Sequence, residues 1–335
     1  MTLFHGFGMF ASSIRSALGG IAVAHVTSPY ISTYPWSAGF GTKYANPATL
    51  PTGTGSGVAF SPDTASIAVS HNTSPYVSAY PWSAGFGTKY ADPATLPTGN
   101  GQNVAFSPDG SSIAVAHLTS PYISAYPWSA GFGTKYANPA TAPTGNGIGV
   151  AFSPDGASIA VSHGITPFIT TYPWSAGFGT KYANPATAPT GNGIGVAFSP
   201  DGLDIVVAHF TSPYVSAYPW SAGFGTKYAN PAGLTDGSFA AAFSPDGSTL
   251  AIAGTPNGLN VYPWSAGFGT KYADPATLPP DGGRGAAFSP DGASIAVSHA
   301  TTPFISTYPW SSGFGTKYAD PATAPTGVGN RLAFI

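Results

Sequence analysis

The chain of 335 residues is 43% hydrophobic and 14% aromatic but only 7% charged, and its formal net charge is −2. Because no basic excess is present to hold a phosphate backbone, this composition disfavours nucleic-acid partners. The absence of cysteine excludes disulfides and thiolate metal sites. No apolar run approaches the roughly 20 residues of a membrane-spanning helix, and the N-terminus lacks the basic and apolar regions of a signal peptide, so we expect no membrane insertion.

One unit repeats along almost the whole chain. Its clearest landmark is the tryptophan of a YPW triplet, which recurs at intervals of 46, 46, 46, 46, 44 and 46 residues: Trp36, Trp82, Trp128, Trp174, Trp220, Trp264 and Trp310. A period of this length is typical of propeller blades or of solenoid coils. The organisation of the chain is therefore predicted from one unit and its seven copies.

Each unit contains four short segments with the character of β-strands. In residues 104–136 they are VAF, SIAVAH, YISAYPW and FGTKY, separated by turns such as SPDG. Apolar residues occur on both faces of these strands, as expected for a sheet packed between two neighbours. We predict an all-β fold, a seven-bladed β-propeller with four-stranded antiparallel blades. A β-solenoid is the alternative, but it requires capping repeats that the sequence does not show.

The two ends of the chain share one unit. Residues 331–335 match the start of a unit, whereas residues 21–36 begin in its second strand. We therefore predict that the C-terminal strand joins the N-terminal blade and closes a propeller of residues 18–335. Residues 1–17 then form an N-terminal arm, whose apolar composition predicts docking on a partner subunit; a mobile or processed tail is the alternative.

The sequence resembles two groups of proteins. An AFSPDG strand, an apolar second strand and a third strand ending in Trp resemble the blades of WD-repeat and related seven-bladed propellers. The Gly-His pair of that family is absent and Ser follows the Trp, so its hydrogen-bond tetrad cannot be carried over. The longer motif PWSAGFGTKYANPATLPTG resembles repeats in proteins of tailed bacteriophages, which implies a place in a virion.

Histidines end the second strand in six of the seven units, and Gly254 takes this place in the remaining one: His25, His71, His117, His163, His209 and His299. A ring of metal- or proton-binding groups is one interpretation. One histidine per blade cannot converge on a single tetrahedral ion, whose nitrogen ligands lie about 2.0–2.1 Å away. The pattern favours a structural ring with no metal site, in which the histidines hydrogen-bond loop backbone and the seven tryptophans pack between blades.

Residues 232–284 depart most from the repeat. The segments AGLTDGSFAAAF, GTPNGLN and PPDGGRG replace its usual loops, and strand order places all three on the face of the histidine ring. They predict a binding site formed by Asp236, Asn257, Asp281 and Arg284. Neutral drift in a weakly constrained blade is the alternative interpretation.

No linear motif indicates catalysis, since the chain has no Glu, no paired metal-binding histidines and no phosphate-binding loop. We expect no catalytic residue, no cofactor and no enzyme activity. The favoured function is a non-catalytic structural or binding module of a bacteriophage virion, in its tail or associated with its capsid. Its expected partners are other virion proteins or a host-surface glycan or protein, and outside a virion the chain is expected to be soluble. The alternative is a lectin-like carbohydrate-binding propeller, and a hydrolase or lactonase with a metal in the channel is the least favoured.

Overall fold

The computed structural model describes residues 19–335, a range that holds 21 β-strands and no helix. The strands form seven three-stranded antiparallel sheets, which we call blades 1 to 7. In the order from the innermost strand to the outermost, the blades are β21(Gly329–Phe334), β1(Gly19–His25) and β2(Ile31–Trp36); β3(Gly55–Phe60), β4(Ser66–His71) and β5(Val77–Pro81); β6(Gly101–Phe106), β7(Ser112–His117) and β8(Ile123–Pro127); β9(Gly147–Phe152), β10(Ser158–His163) and β11(Ile169–Pro173); β12(Gly193–Phe198), β13(Asp204–His209) and β14(Val215–Pro219); β15(Ser238–Phe243), β16(Thr249–Gly254) and β17(Gly258–Pro263); and β18(Gly283–Phe288), β19(Ser294–His299) and β20(Ile305–Pro309).

The innermost strands of the blades stand side by side in a ring. β21 contacts β3, the contacts continue through β6, β9, β12, β15 and β18, and β18 contacts β21 again. The fold is thus a seven-bladed propeller with a central channel, as the period of the repeat predicted. Because the described residues include no helix, they contain none that could span a membrane.

Each blade has three strands, which corrects the prediction of four. The fourth expected segment, residues 132–136 in blade 3, meets the third strand through one isolated bridge between Trp128 and Phe132. The reason is local chemistry. Pro127 ends the third strand because it has no N–H to donate, and Gly131, with a φ of 145°, turns the chain before a regular ladder can develop.

Blade 1 combines the two ends of the described chain. β21 pairs with β1 in antiparallel register, with Phe334 opposite Ile21 and Gly329 opposite His25. The predicted C-terminal clasp therefore forms from one C-terminal and two N-terminal strands, rather than from one and three. The predicted N-terminal arm of residues 1–17 lies outside the described residues.

The core lies between the blades. In the cluster between blades 3 and 4, Ile123 of one blade packs with Val161 and Trp174 of the other. The Trp174 ring is only 7% exposed and meets the edges of Tyr136, Phe152 and Phe178 at centroid distances of 5.4, 5.2 and 5.1 Å. Such edge-to-face pairs add to the burial of apolar area. The same cluster recurs around the ring, so each blade is held by both neighbours.

The two ends of a blade form different faces. At one end, which we call the upper face, His117 at the end of β7 lies opposite Gly101 at the start of β6. At the lower face the SPDG turn joins these strands, and the Ser107 hydroxyl donates a 2.5 Å hydrogen bond to Asp109 Oδ1. The loops that precede each innermost strand and follow each middle strand therefore belong to the upper face.

Candidate functional site

A β-bulge interrupts the start of every innermost strand. In blade 2, Gly55 lies opposite His71 and Gly57 lies opposite Ser70, so Ser56 between them has no partner. A bulge turns the extra side chain away from the ladder. The seven bulged residues line the mouth of the channel at the upper face: Ser56, Gln102, Ile148, Ile194, Phe239, Arg284 and Asn330. We call this the channel mouth, a cavity of about 180 Å³.

The channel mouth is polar and positively charged on one side only. Blades 4 and 5 contribute isoleucines, whereas blade 7 contributes the half-buried Arg284. The Arg284 guanidinium carbon lies 5.8 Å from the centre of the Phe239 ring, which is a cation–π arrangement. Phe239 in turn meets the exposed Phe210 edge to face at 4.8 Å. An aromatic row with a cation at its inner end therefore crosses the upper face of blades 5 to 7.

A second arginine lies in the channel. Arg331 of β21 donates from Nη1 to the carbonyl oxygens of Phe239 (2.8 Å) and Arg284 (3.4 Å), and from Nη2 to that of Ile194 (2.9 Å). Its side chain thus extends from blade 1 to the bulges of blades 5, 6 and 7. Burial lowers the pKa of Arg331 to about 10, so the side chain is still a cation at neutral pH.

The four residues of the predicted binding site lie at the upper face of blades 6 and 7, three on loops and Arg284 in β18, but do not bond to one another. Asn257 donates to Asp274 (3.1 Å) instead, and Asp281 accepts a 3.4 Å hydrogen bond from Thr301. Asp236 accepts from the backbone N–H of the residue that follows it, at 2.6 Å. Within residues 19–335, Arg284 forms no ion pair. The prediction of a joint site for these four residues stays a prediction.

Asp236 and Asp281 occupy the same register, two residues before the innermost strand. The other five blades have glycine there: Gly53, Gly99, Gly145, Gly191 and Gly327. A Cβ at Gly191 would collide with the side chain of Thr211, so the regular loop excludes a side chain at this position. The altered loops of blades 6 and 7 admit a carboxylate. Both carboxylates are consequently placed on the half of the face that carries Arg284.

The six histidines are buried within their own blades. Each Nε2 lies 2.9–3.0 Å from a Ser or Thr hydroxyl seven residues later, as His163 does with Thr170. In two cases, His71 and His299, Nδ1 also lies 2.7 Å from a loop carbonyl. Burial lowers the pKa of five of them from 6.5 to about 4, and that of His299 in the same direction. They are therefore neutral at pH 7, and among residues 19–335 no group of side chains is arranged to hold a metal ion.

The sequence alone does not identify Arg331 and the bulged residues as a group. A signal for them was present, because the bulge position varies among the units (Ser, Gln, Ile, Ile, Phe, Arg and Asn) while the residues around it are nearly constant. A variable position inside a constant repeat marks a surface that the fold does not constrain. What the sequence could not supply was the bulge, which turns these side chains towards the channel.

The comparisons with known proteins bear on the fold. No protein-family model matches the sequence, and no curated protein matches it. A candidate 6-phosphogluconolactonase from Bacteroides uniformis is 17% identical, with a TM-score of 0.70 over 95% of this chain and 99% of that one. The periplasmic gluconolactonase of Pseudomonas aeruginosa is 18% identical, with a TM-score of 0.69 over 95% and 99%. A candidate 6-phosphogluconolactonase from Bacteroides fragilis is 14% identical, with a TM-score of 0.70 over 96% and 99%. At these identities the likeness establishes the fold alone.

These structures correct three expectations drawn from the sequence. The named proteins that share the architecture are a gluconolactonase and two candidate 6-phosphogluconolactonases, and this contradicts both the interpretation as a non-catalytic virion module and the expectation of no enzyme activity. None of the three is a WD-repeat or phage protein, so the virion location has no support either. The error arose because the repeat motif encodes the shared scaffold of the blade and not the site. The expected partners stay a prediction.

Proposed function

We propose that this protein hydrolyses a lactone, the cyclic ester of a hydroxy acid, at the channel mouth. The observation that carries the proposal is the position of Arg284. Its guanidinium lines a polar cavity at the centre of the upper face and forms no ion pair within residues 19–335, and two carboxylates lie on adjacent loops. The lactonase names of proteins with the same architecture support the assignment of reaction class.

The reaction requires stabilisation of negative charge on the carbonyl oxygen. Water adds to the carbonyl carbon, and the ring C–O bond then breaks to give an open hydroxy acid. Donors placed at the developing oxyanion contribute strongly to such reactions. Arg284 and the Gln102 amide, which both line the channel mouth, supply N–H donors for that oxygen.

A group is also required to take a proton from the attacking water. The histidines cannot serve, because they are fully buried and their Nε2 atoms are engaged with hydroxyl groups. Asp281 is exposed and lies three residues before Arg284, and Asp236 occupies the same register in the neighbouring blade. We assign the general base to Asp281, whose blade also supplies the arginine.

The test is acid release from a panel of five- and six-membered lactones, beginning with glucono-δ-lactone. Asp281→Gly gives blade 7 the residue that five other blades carry, and general-base loss should lower kcat by about 10²- to 10⁴-fold. Asp236→Gly should have a smaller effect. Asp320→Asn is the matched control, because it removes an outer-edge carboxylate where blades 1 and 3 to 5 carry asparagine. If the wild-type protein hydrolyses no lactone faster than buffer alone, the proposal is wrong.

A further inference from the structure

Arg331 separates two chambers of the channel. Above it lies the channel mouth of about 180 Å³, and below it lies a second cavity of about 140 Å³; Arg331 lines both. At the same register the other six blades have small residues or asparagine: Gly57, Asn103, Gly149, Gly195, Ala240 and Gly285. Blade 1 alone therefore places a long cationic side chain across the channel.

The guanidinium has more donors than its protein partners use. Arginine carries five N–H donors, and three hydrogen bonds join them to the carbonyl oxygens of blades 5, 6 and 7. All three acceptors are bonded to Nη1 or Nη2, which leaves the Nε–H and one Nη2–H free of a partner among residues 19–335. The Nε–H and the Nη2 amino group lie on the same edge of a guanidinium, and that edge can meet the two oxygens of an oxyanion.

The charge of the channel is also unbalanced. Carbonyl dipoles hold the guanidinium in place but carry no net charge. The residues lining the two chambers include Arg284 and Arg331 and no acidic side chain. Every ion pair within residues 19–335 lies elsewhere, between a lysine and an aspartate on the outer edge of a blade. Partly buried charges without a counter-charge are destabilising, so an anion would stabilise this arrangement.

We propose that the channel binds a small inorganic oxyanion, such as phosphate or sulfate, on the free edge of the Arg331 guanidinium. Arg284 supplies a second positive charge, and Gln102 and Ser56 supply neutral donors at the channel mouth. The channel mouth, with its volume of about 180 Å³, has room for a small ion, because a water molecule occupies only roughly 30 Å³ of liquid volume. This inference does not depend on lactone hydrolysis, because the ion is bound in the absence of any lactone.

The test is binding of inorganic phosphate to the full chain, measured by calorimetry and by the melting temperature at constant ionic strength. We expect wild-type protein to bind phosphate with a stoichiometry of one. Arg331→Met should weaken binding by about 10- to 100-fold, the usual effect of losing hydrogen bonds to a charged group. Arg331→Lys, which retains the charge but not the fork of donors, should weaken it less. Lys135→Ser, which removes a cation from the outer edge of blade 3, should leave it unchanged.

Each outcome bears on the proposal. No binding by the wild-type protein, or equal binding by wild type and Arg331→Met, would overturn it. If Arg331→Met does not fold, Arg331→Lys decides, because a site built on the fork must lose affinity when the fork is removed. Sulfate competing with phosphate would support a general oxyanion site. Binding that is lost in Lys135→Ser would place the ion on the outer surface and contradict the assignment.

Discussion

Blade 4 and blade 6 share one scaffold but differ at the upper face. Their tryptophans have similar aromatic neighbours: Trp264 meets Phe243, Phe268 and Tyr228 at 5.4, 5.1 and 5.6 Å, close to the distances around Trp174. At the upper face the buried histidine of blade 4 is replaced by Gly254, and its hydroxyl partner by Asn260. The channel residue changes from isoleucine to Phe239.

This difference teaches where the chain tolerates change. The inter-blade clusters hold the ring together and repeat with little variation, so a substitution there affects stability. The upper-face loops contribute little to those clusters, and blades 5 to 7 differ there: an aromatic row and two loop carboxylates lie on the half of the upper face that carries Arg284. The same difference separates predictions on stability from predictions on activity.

The largest effect on the free energy of unfolding should come from the pH dependence of the buried histidines, which blade 6 lacks. Burial lowers their folded-state pKa to about 4, whereas the unfolded chain has the ordinary value of 6.5. Between these values the unfolded state binds more protons, so the free energy of unfolding must fall as the pH drops from 6.5 to 4. Each of the five histidines with a pKa of about 4 contributes on the order of 2–3 kcal/mol, and the five together on the order of 10 kcal/mol; His299 acts in the same direction.

Denaturant titrations at several pH values measure this slope. His163→Gln removes one of the five groups with a pKa near 4 and should reduce the slope by no more than about one fifth. The aspartates of the SPDG turns also have lowered pKa values, but they lose their contribution at lower pH than the histidines do. Stability that does not change between pH 6.5 and 4 would show that the histidines take up protons in the folded protein as readily as in the unfolded chain.

The second-largest effect on stability should come from the tryptophans of blades 4 and 6. Trp174→Ala should destabilise the protein by about 3–5 kcal/mol, because it leaves a cavity between blades 3 and 4. Trp264→Ala should cost about 1–3 kcal/mol more, because the Nε1–H of Trp264 donates a 2.8 Å hydrogen bond to the buried carboxylate of Asp204. Urea unfolding of both variants gives the comparison. Equal losses would mean that the carboxylate finds another partner.

A smaller effect on stability should come from Asp204, which links blades 5 and 6. Asp204 accepts hydrogen bonds from Tyr228 (2.7 Å) and Trp264, whereas Ser112 at the same register meets Tyr136 at 3.3 Å and does not bond the next tryptophan. Asp204→Ser gives blade 5 the residue of blades 2, 3, 4 and 7 and should cost about 1 kcal/mol through the lost hydrogen bonds. A gain in stability, measured in the same urea series, would show that burying the carboxylate costs more than its two bonds contribute.

Much of this fold follows from sequence, and the reason is the repeat. The period, the SPDG turns and the residues 331–335 were sufficient to predict seven blades and the pairing of β21 with β1. The fourth strand was predicted wrongly, because FGTKY has the composition of a strand but follows a proline and a sharply turning glycine. The irregular loops directed attention to Arg284 and Asp281. The contribution of Arg331 could not be predicted, since its contacts in blades 5 to 7 lie 47 to 137 residues away in sequence.

Lactone hydrolysis is proposed to take place at the altered half of the channel mouth. The most direct measurement is kcat/KM for the lactone that the wild-type protein hydrolyses best, in two variants that each remove one positive charge. Arg284→Ser gives blade 7 the channel residue of blade 2, and Lys135→Ser changes the outer edge of blade 3. We predict that Arg284→Ser lowers kcat/KM by about 10²- to 10³-fold with melting temperature unchanged, as for loss of an oxyanion donor, and that Lys135→Ser leaves it unaltered. Equal kcat/KM values in the two variants would contradict the claim.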